Sequence, residues 1–342
     1  KTDHIYDMFW DWMEKKSPGL KRDDPSTWGN DKYWPARKNG ALVTDSIGQA
    51  PFMWEARQES EVIRTFANAY QEADRDMITS FDGASVLRPT ETHPRKLSES
   101  EDYDEGYHMF DTTEGIQGML NLQDSTELDG GLSICPTSHR QVKDYKRKHS
   151  DDFTVDKSPL LDVSDRDHIV SPIKGEPMTG RTKIVAPKGT MILWDARTVH
   201  CHELPHDDRN FQEYPKFHVS CNIAMKPRKY STEEELHERY DWYQGGVTTT
   251  SGYGMHTTKD KVPIDREYTP VEMTPVVRNL IGYDGVTLRD LEKQCIRNLM
   301  FCQIFQRYAC ALPSVYLIQF KFVVLYVHPI SQIEEGDYNK CS

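Results

Sequence analysis

No stretch of the 342-residue chain reaches the roughly 20 apolar residues that a membrane-crossing helix requires. The longest apolar stretch, Val315 to Val327, is shorter and carries Gln319 and Lys321. Positive charge is in deficit: 42 Lys and Arg stand against 54 Asp and Glu, a formal net charge of −12. Such a chain repels a polyphosphate backbone, so nucleic-acid partners are not expected. It repels an anionic membrane surface for the same reason. Cysteine is sparse and odd in number. Of the seven, Cys295, Cys302, Cys310 and Cys341 lie after residue 294, which excludes an evenly spaced disulfide framework. A reducing, cytoplasmic setting is the expectation. There is no Gly-rich phosphate loop, and Ser133 and Ser138 lack the context of a hydrolase nucleophile. Internal repeats and low-complexity tracts are missing as well.

Charged residues make up 28% and aromatics 11%, the balance of a foldable globular chain. Residues 1–16 read as a helix, with Ile5, Phe9, Trp12 and Met13 at helical spacing and Pro18-Gly19 ending it. Residues 20–50 are rich in turn formers and read as a long ordered loop packed by Trp28 and Trp34. Residues 55–72 read as one helix, with Val62, Ile63, Phe66 and Tyr70 on one face.

From residue 77 the texture becomes that of strands. Met77 to Leu87, Ile116 to Leu122, Leu132 to Cys135, Lys183 to Ala186, Thr190 to Asp195 and Phe217 to Met225 each read as strand, with turn signals between them. Residues 90–106 read as a polar loop. Residues 137–180 read as mostly loop, with a short helix over 143–149. Many short strands separated by turns indicate a sandwich or jelly roll. Residues 232–243 read as helix, the chain is loop-rich to about 283, and 286–300 read as helix. This divides the chain into an N-terminal helical and loop region packed on the core (1–75), a β core (76–230), a helical and loop extension (231–300) and an atypical cysteine-rich tail (301–342).

Most of the 13 histidines sit among polar residues and read as surface groups. Two differ. His108 follows the polar loop and precedes a strand, with Asp111 three residues on. His200 follows the strand Thr190 to Asp195. Two imidazoles and one carboxylate on one face of a metal leave positions open for a cosubstrate and dioxygen, the donor set of non-haem Fe(II) oxygenases. Neutral imidazole and ionised carboxylate are both available near pH 7. His202 and His206 form a His-x-His-x3-His cluster with His200, so a zinc site is an alternative.

Four stretches together resemble a known family. They are Gly115 to Leu122; Asp129-Gly130-Gly131-Leu132 through Pro136-Thr137-Ser138-His139; Lys188 through Trp194-Asp195-Ala196-Arg197-Thr198-Val199-His200; and the N-terminal set Trp54, Arg57, Ser80, Phe81, Asp82 and Gly83. Their order and spacing, over roughly residues 7–228, are similar to the phytanoyl-CoA dioxygenase-like branch of the Fe(II)/2-oxoglutarate-dependent oxygenases. The resemblance implies a mainly β fold with flanking helices, a double-stranded β-helix (jelly roll, cupin-like). It implies an oxidoreductase that uses Fe(II), with 2-oxoglutarate as cosubstrate, to hydroxylate a small organic substrate. His200 then corresponds to the distal metal ligand, His108 to the proximal one and Asp111 to the carboxylate. Gln117 corresponds to the cosubstrate side, and Arg197 to the Arg three residues before the distal His. His139 reads as structural.

Two departures stand out. The family's His-x-Asp places its acid where this chain has Phe110, so Asp111 reaches a metal only if the strand bulges or turns. The family's 2-oxoglutarate-binding Arg falls at His218. Lys216, His218, Ser220 and Asn222 alternate onto one face of their strand, and Phe217, Val219, Cys221 and Ile223 onto the other. An imidazole lacks the planar fork that pairs with a carboxylate, which leaves Lys216, a protonated His218 or Arg209 as cosubstrate anchors. A degenerate jelly-roll binding protein and a cupin-like metal enzyme that does not use 2-oxoglutarate are the alternatives. The sequence does not name the substrate or the oligomeric state.

Overall fold

The computed structural model describes residues 1–35, 40–89, 107–108, 115–141, 160–161, 182–198, 200–203, 205, 217–249, 265 and 267–283. All lie in the compact unit Lys1–Gly285. The expected loop 90–106, the helices 143–149 and 286–300, and the tail 301–342 lie outside the described residues.

Helix α1 (Thr2–Lys16) buries Ile5, Phe9, Trp10, Trp12 and Met13. The stretch read as one helix over 55–72 is two: α2 (Pro51–Gln58) and α3 (Ser60–Tyr70), separated at Glu59, whose ψ of 122° is extended. Their burial explains the break. Arg57 and its α2 neighbours Phe52, Met53, Trp54 and Ala56 are enclosed on several sides, whereas α3 buries the single stripe Val62, Ile63, Phe66 and Ala67. One straight helix does not satisfy both patterns. Thr232 caps α4 (Glu233–Gly245) by accepting from Glu235 N, and Thr274 caps α5 (Pro275–Ile281) by accepting from Val277 N. Helix α5 corrects the loop reading of the stretch up to residue 283. No described helix is long and apolar enough to cross a membrane.

The strands are β1 (Ala41–Leu42), β2 (Met77–Thr79), β3 (Ala84–Leu87), β4 (Tyr107–His108), β5 (Ile116–Asn121), β6 (Gly131–Ile134), β7 (Leu160–Leu161), β8 (Thr182–Lys183), β9 (Met191–Asp195), β10 (His200–Glu203) and β11 (His218–Pro227). They form two sheets, ordered β1-β3-β11-β5-β9, with β2 also on β11, and β7-β4-β10-β6-β8. Every pairing among the described strands is antiparallel. The fold is mainly β, a jelly roll with flanking helices, as expected.

Local corrections have physical causes. Strand β1 lies inside the stretch read as loop over 20–50. The expected strand Met77 to Leu87 is split, because β2 and β3 both pair with β11 while Ser80–Gly83 bulges between them. A Cβ on Gly83 would meet Leu42 O at 2.0 Å, so only glycine allows β1 to approach there. Carbonyls in and around the bulge are held by cations. Arg57 donates to Gly48 O (2.6 Å) and Asp82 O (2.7 Å), and Arg239 donates to Thr79 O (2.5 Å) and Ile281 O (2.7 Å). Both guanidinium groups are fully enclosed. Burial lowers their pKa values to about 10 and about 9, so both stay charged at neutral pH and pair with peptide dipoles.

Strand alternation separates the two faces of the first sheet. Phe217, Val219, Cys221 and Ile223 join the buried cluster of α1, α2 and α3. Phe217 lies 4.4 Å from Trp28, 5.1 Å from Trp10 and 5.5 Å from Trp34, ring centre to ring centre. Gly118 on β5 lets α3 sit close, since a Cβ there would meet the tip of Phe66 at 2.8 Å. The opposite face carries Ser85, Gln117, Asn121, Trp194, His218, Ser220 and Asn222 and looks toward the second sheet. Contact between Ser85 Oγ and His202 Nε2 (3.0 Å), and between the Trp194 and His200 rings (5.3 Å), joins the two sheets.

Candidate functional site

Strands β4 and β10 pair with His108 opposite His200. Opposite residues on paired strands share a face of the sheet, so these two positions, 92 residues apart in sequence, become immediate neighbours. Of His108 only the backbone is described. Asp111, Lys216 and Arg209 lie outside the described residues, as does Phe110. The segment from His200 to Glu203 is strand β10, which pairs with β6 as well as β4.

His200 is 8% exposed. Its Nδ1 lies 2.7 Å from Thr198 O. A carbonyl only accepts, so Nδ1 carries the hydrogen and Nε2 the lone pair. That is the tautomer of a metal-binding imidazole whose orientation is fixed by a backbone partner. Thr198 is itself placed by a turn, in which its N–H donates to Asp195 O (2.8 Å).

Gln117 is buried on β5, opposite Trp194 on β9 and Ala224 on β11. It therefore faces the inter-sheet space. Asn121 shares its face and stands opposite Ser220. Asn121 Oδ1, Ser220 Oγ and Trp194 Nε1 are buried and have no hydrogen-bond partner among the described residues. Unmatched buried polar atoms on an inward sheet face suit a space built for a polar ligand better than a dry core. His218 is buried on this face, opposite Leu87. The alternation expected of β11 is thus observed from Phe217 onward.

Arg197 makes a bidentate pair with Asp195, donating from Nε to Oδ1 (2.8 Å) and from Nη2 to Oδ2 (2.6 Å). Burial raises the Asp195 pKa, but the bonds and charge of Arg197 outweigh it and the net shift is downward. The pair bolts the end of β9 to the turn that carries Thr198. His139 sits in the short helical turn Ser138–Gln141.

His202 shares the inward face with His200, and its Nε2 meets Ser85 Oγ, which also donates to Asn222 Oδ1 (3.2 Å). Among the described residues no three His, Cys, Asp or Glu are grouped to hold a metal. The zinc alternative therefore gains nothing from His202, and His206 lies outside the described set. For an Fe(II) centre the described set supplies two imidazole positions in register, and the expected carboxylate, Asp111, lies outside it. Sequence reasoning named His202 and Asn222 without joining them through Ser85, and gave Asn121 and Trp194 no site role. The period-2 spacing from Gln117 to Asn121 was the available signal.

Residues 90–201 match the phytanoyl-CoA dioxygenase (PhyH) family. A curated relative, Ava biosynthesis cluster protein O of Aspergillus versicolor, is 24% identical over 253 residues, covering 69% of this chain and 73% of its own length. Among solved structures, a hypothetical protein JW0805 of Escherichia coli superposes with a TM-score of 0.49 at 11% identity, covering 82% of this chain and 77% of its own. AviO1 of Streptomyces viridochromogenes Tue57 gives 0.39 at 12% identity, with coverage of 68% and 86%. The matched family is one of oxygenase-type enzymes, and the stretch matched includes both candidate metal-binding histidines. What these comparisons establish is a likeness to the phytanoyl-CoA dioxygenase family over residues 90–201.

Proposed function

We propose that the protein is an Fe(II)- and 2-oxoglutarate-dependent dioxygenase that hydroxylates a small organic substrate. The observation that carries this reading is the register pairing of His108 with His200, with His200 Nδ1 tied to a carbonyl. His108, His200 and Asp111 would hold the metal. When bound, Fe(II) would activate dioxygen, the oxidant, with one oxygen atom consumed in converting 2-oxoglutarate to succinate and carbon dioxide and the other inserted into a substrate C–H bond.

The chain's own residues do the rest. Thr198 fixes the tautomer and plane of the His200 ring. Trp194 packs against that ring and limits water around it. Gln117, Asn121 and Ser220 present amide and hydroxyl groups to the same enclosed space, where hydrogen bonds orient a polar cosubstrate at little reorganisation cost. The paired Asp195 and Arg197 hold the turn between β9 and β10, and so the position of Thr198.

Metal titration of the purified protein under anaerobic conditions tests the reading. His200→Ala is expected to abolish Fe(II) binding, and Asp111→Ala to weaken it at least tenfold, while His202→Ala leaves it within about twofold. Unchanged iron affinity in His200→Ala would sink the assignment.

A further inference from the structure

A buried indole N–H normally finds an acceptor within the protein. Trp28 and Trp54 follow that rule: Trp28 Nε1 donates to Lys21 O (2.8 Å) and Trp54 Nε1 to Gln49 Oε1 (3.0 Å). Trp194 departs from it. Its Nε1 is buried and meets no acceptor among the described residues. An indole N–H only donates, so what it lacks is an acceptor. Leaving such a donor unmatched costs stability, and its retention calls for a reason.

The indole stands in a fixed place. Trp194 on β9 is the register partner of Gln117 on β5, so its side chain enters the space between the sheets. Its ring lies 5.3 Å from that of His200, centre to centre. One turn holds both rings. Asp195, next in the chain to Trp194, accepts two bonds from Arg197, and its carbonyl accepts from Thr198 N. Thr198 O in turn takes the Nδ1 hydrogen of His200. The turn that aims the His200 Nε2 lone pair therefore also sets the indole beside it. A donor held in this way, in a space where Ser220 Oγ and Asn121 Oδ1 are also unmatched among the described residues, suits an acceptor that arrives from outside the chain.

Resting on the dioxygenase reading, we infer that Trp194 is a binding residue for the cosubstrate, its Nε1–H donating to an oxygen of the 2-oxo acid end. That end carries a carboxylate and a ketone on adjacent carbons and is rich in acceptors. In the dioxygenase reading it shares the metal with His200, the residue that Trp194 touches. The distal carboxylate takes no part in the contact.

The test is isotope-edited NMR of the indole N–H groups in the full chain loaded with Zn(II), a diamagnetic stand-in for iron. The Trp194 signal is identified by its loss in Trp194→Phe. The probes are 2-oxoglutarate and pyruvate, which share the 2-oxo acid end and differ in the distal carboxylate. Either probe is expected to move the Trp194 proton signal downfield, as a new hydrogen bond does. In calorimetry Trp194→Phe, which keeps an aromatic ring and drops the donor, is expected to bind both probes about tenfold more weakly and Zn(II) within about twofold of wild type. A Trp194 signal that stays in place while calorimetry shows 2-oxoglutarate bound overturns this proposal alone, as does unchanged probe affinity in Trp194→Phe. A signal that moves with 2-oxoglutarate and not with bound pyruvate overturns it too, since the contact then lies at the distal carboxylate. Wild-type protein that binds Zn(II) but neither probe overturns the cosubstrate reading and this proposal together.

Discussion

The two faces of strand β11 have opposite characters over the same few residues. Phe217, Val219, Cys221 and Ile223 turn toward three helices and vanish into an apolar cluster. His218, Ser220 and Asn222 turn toward the second sheet, where Ser220 is just as inaccessible but its hydroxyl has no described partner. Burial alone does not distinguish the faces. What differs is whether the buried atoms have met their needs within the protein. The helix-facing side is packed for stability, and the sheet-facing side buries polar groups, of which the Ser220 hydroxyl has no partner among the described residues.

Breaking the helix-facing side should cost most. Phe217→Ala removes the ring at the centre of Trp10, Trp28 and Trp34 and is expected to destabilise by about 3–5 kcal/mol in urea unfolding. A loss under about 1 kcal/mol would mean that the tryptophans close the gap and the face is not tightly packed. A smaller effect comes from putting a hydroxyl where a thiol now sits. Burial pushes the Cys221 thiol pKa up to about 12, so it behaves as a neutral apolar group. Cys221→Ser is expected to cost about 1–3 kcal/mol by the same measurement, because the new hydroxyl has no partner. The reverse exchange on the neighbouring residue sharpens the contrast: Ser220→Ala is expected to change stability by less than about 0.5 kcal/mol, since the hydroxyl lost has no partner among the described residues. If Ser220→Ala costs as much as Cys221→Ser, the two faces are energetically alike and the inward face is ordinary core.

Much of this contrast was legible in the sequence because β11 obeys strict alternation, which fixes both faces at once. The strands Ile116 to Asn121 and Met191 to Asp195 were legible as short β-rich runs between turn signals. The split of Met77 to Leu87 was not, because a bulge is decided by tertiary partners. Arg57 and Arg239 reach its carbonyls from helices far away in sequence. Helix α5 carried its own signals in Thr274, Pro275 and Gly282, but seven residues in a polar stretch are too few for periodicity to stand out. At the site, spacing and resemblance singled out His108 and His200, and only the sheet register made them neighbours. The departure at His218 was visible. Asp111 reads as a ligand from the sequence alone.

The most direct measurement is the visible absorption spectrum of the purified protein with Fe(II) and then 2-oxoglutarate, recorded without oxygen. The account predicts a metal-to-ligand charge-transfer band that appears only when both are present and is absent in His200→Ala. A wild-type protein that retains iron and shows no band on adding 2-oxoglutarate would contradict it.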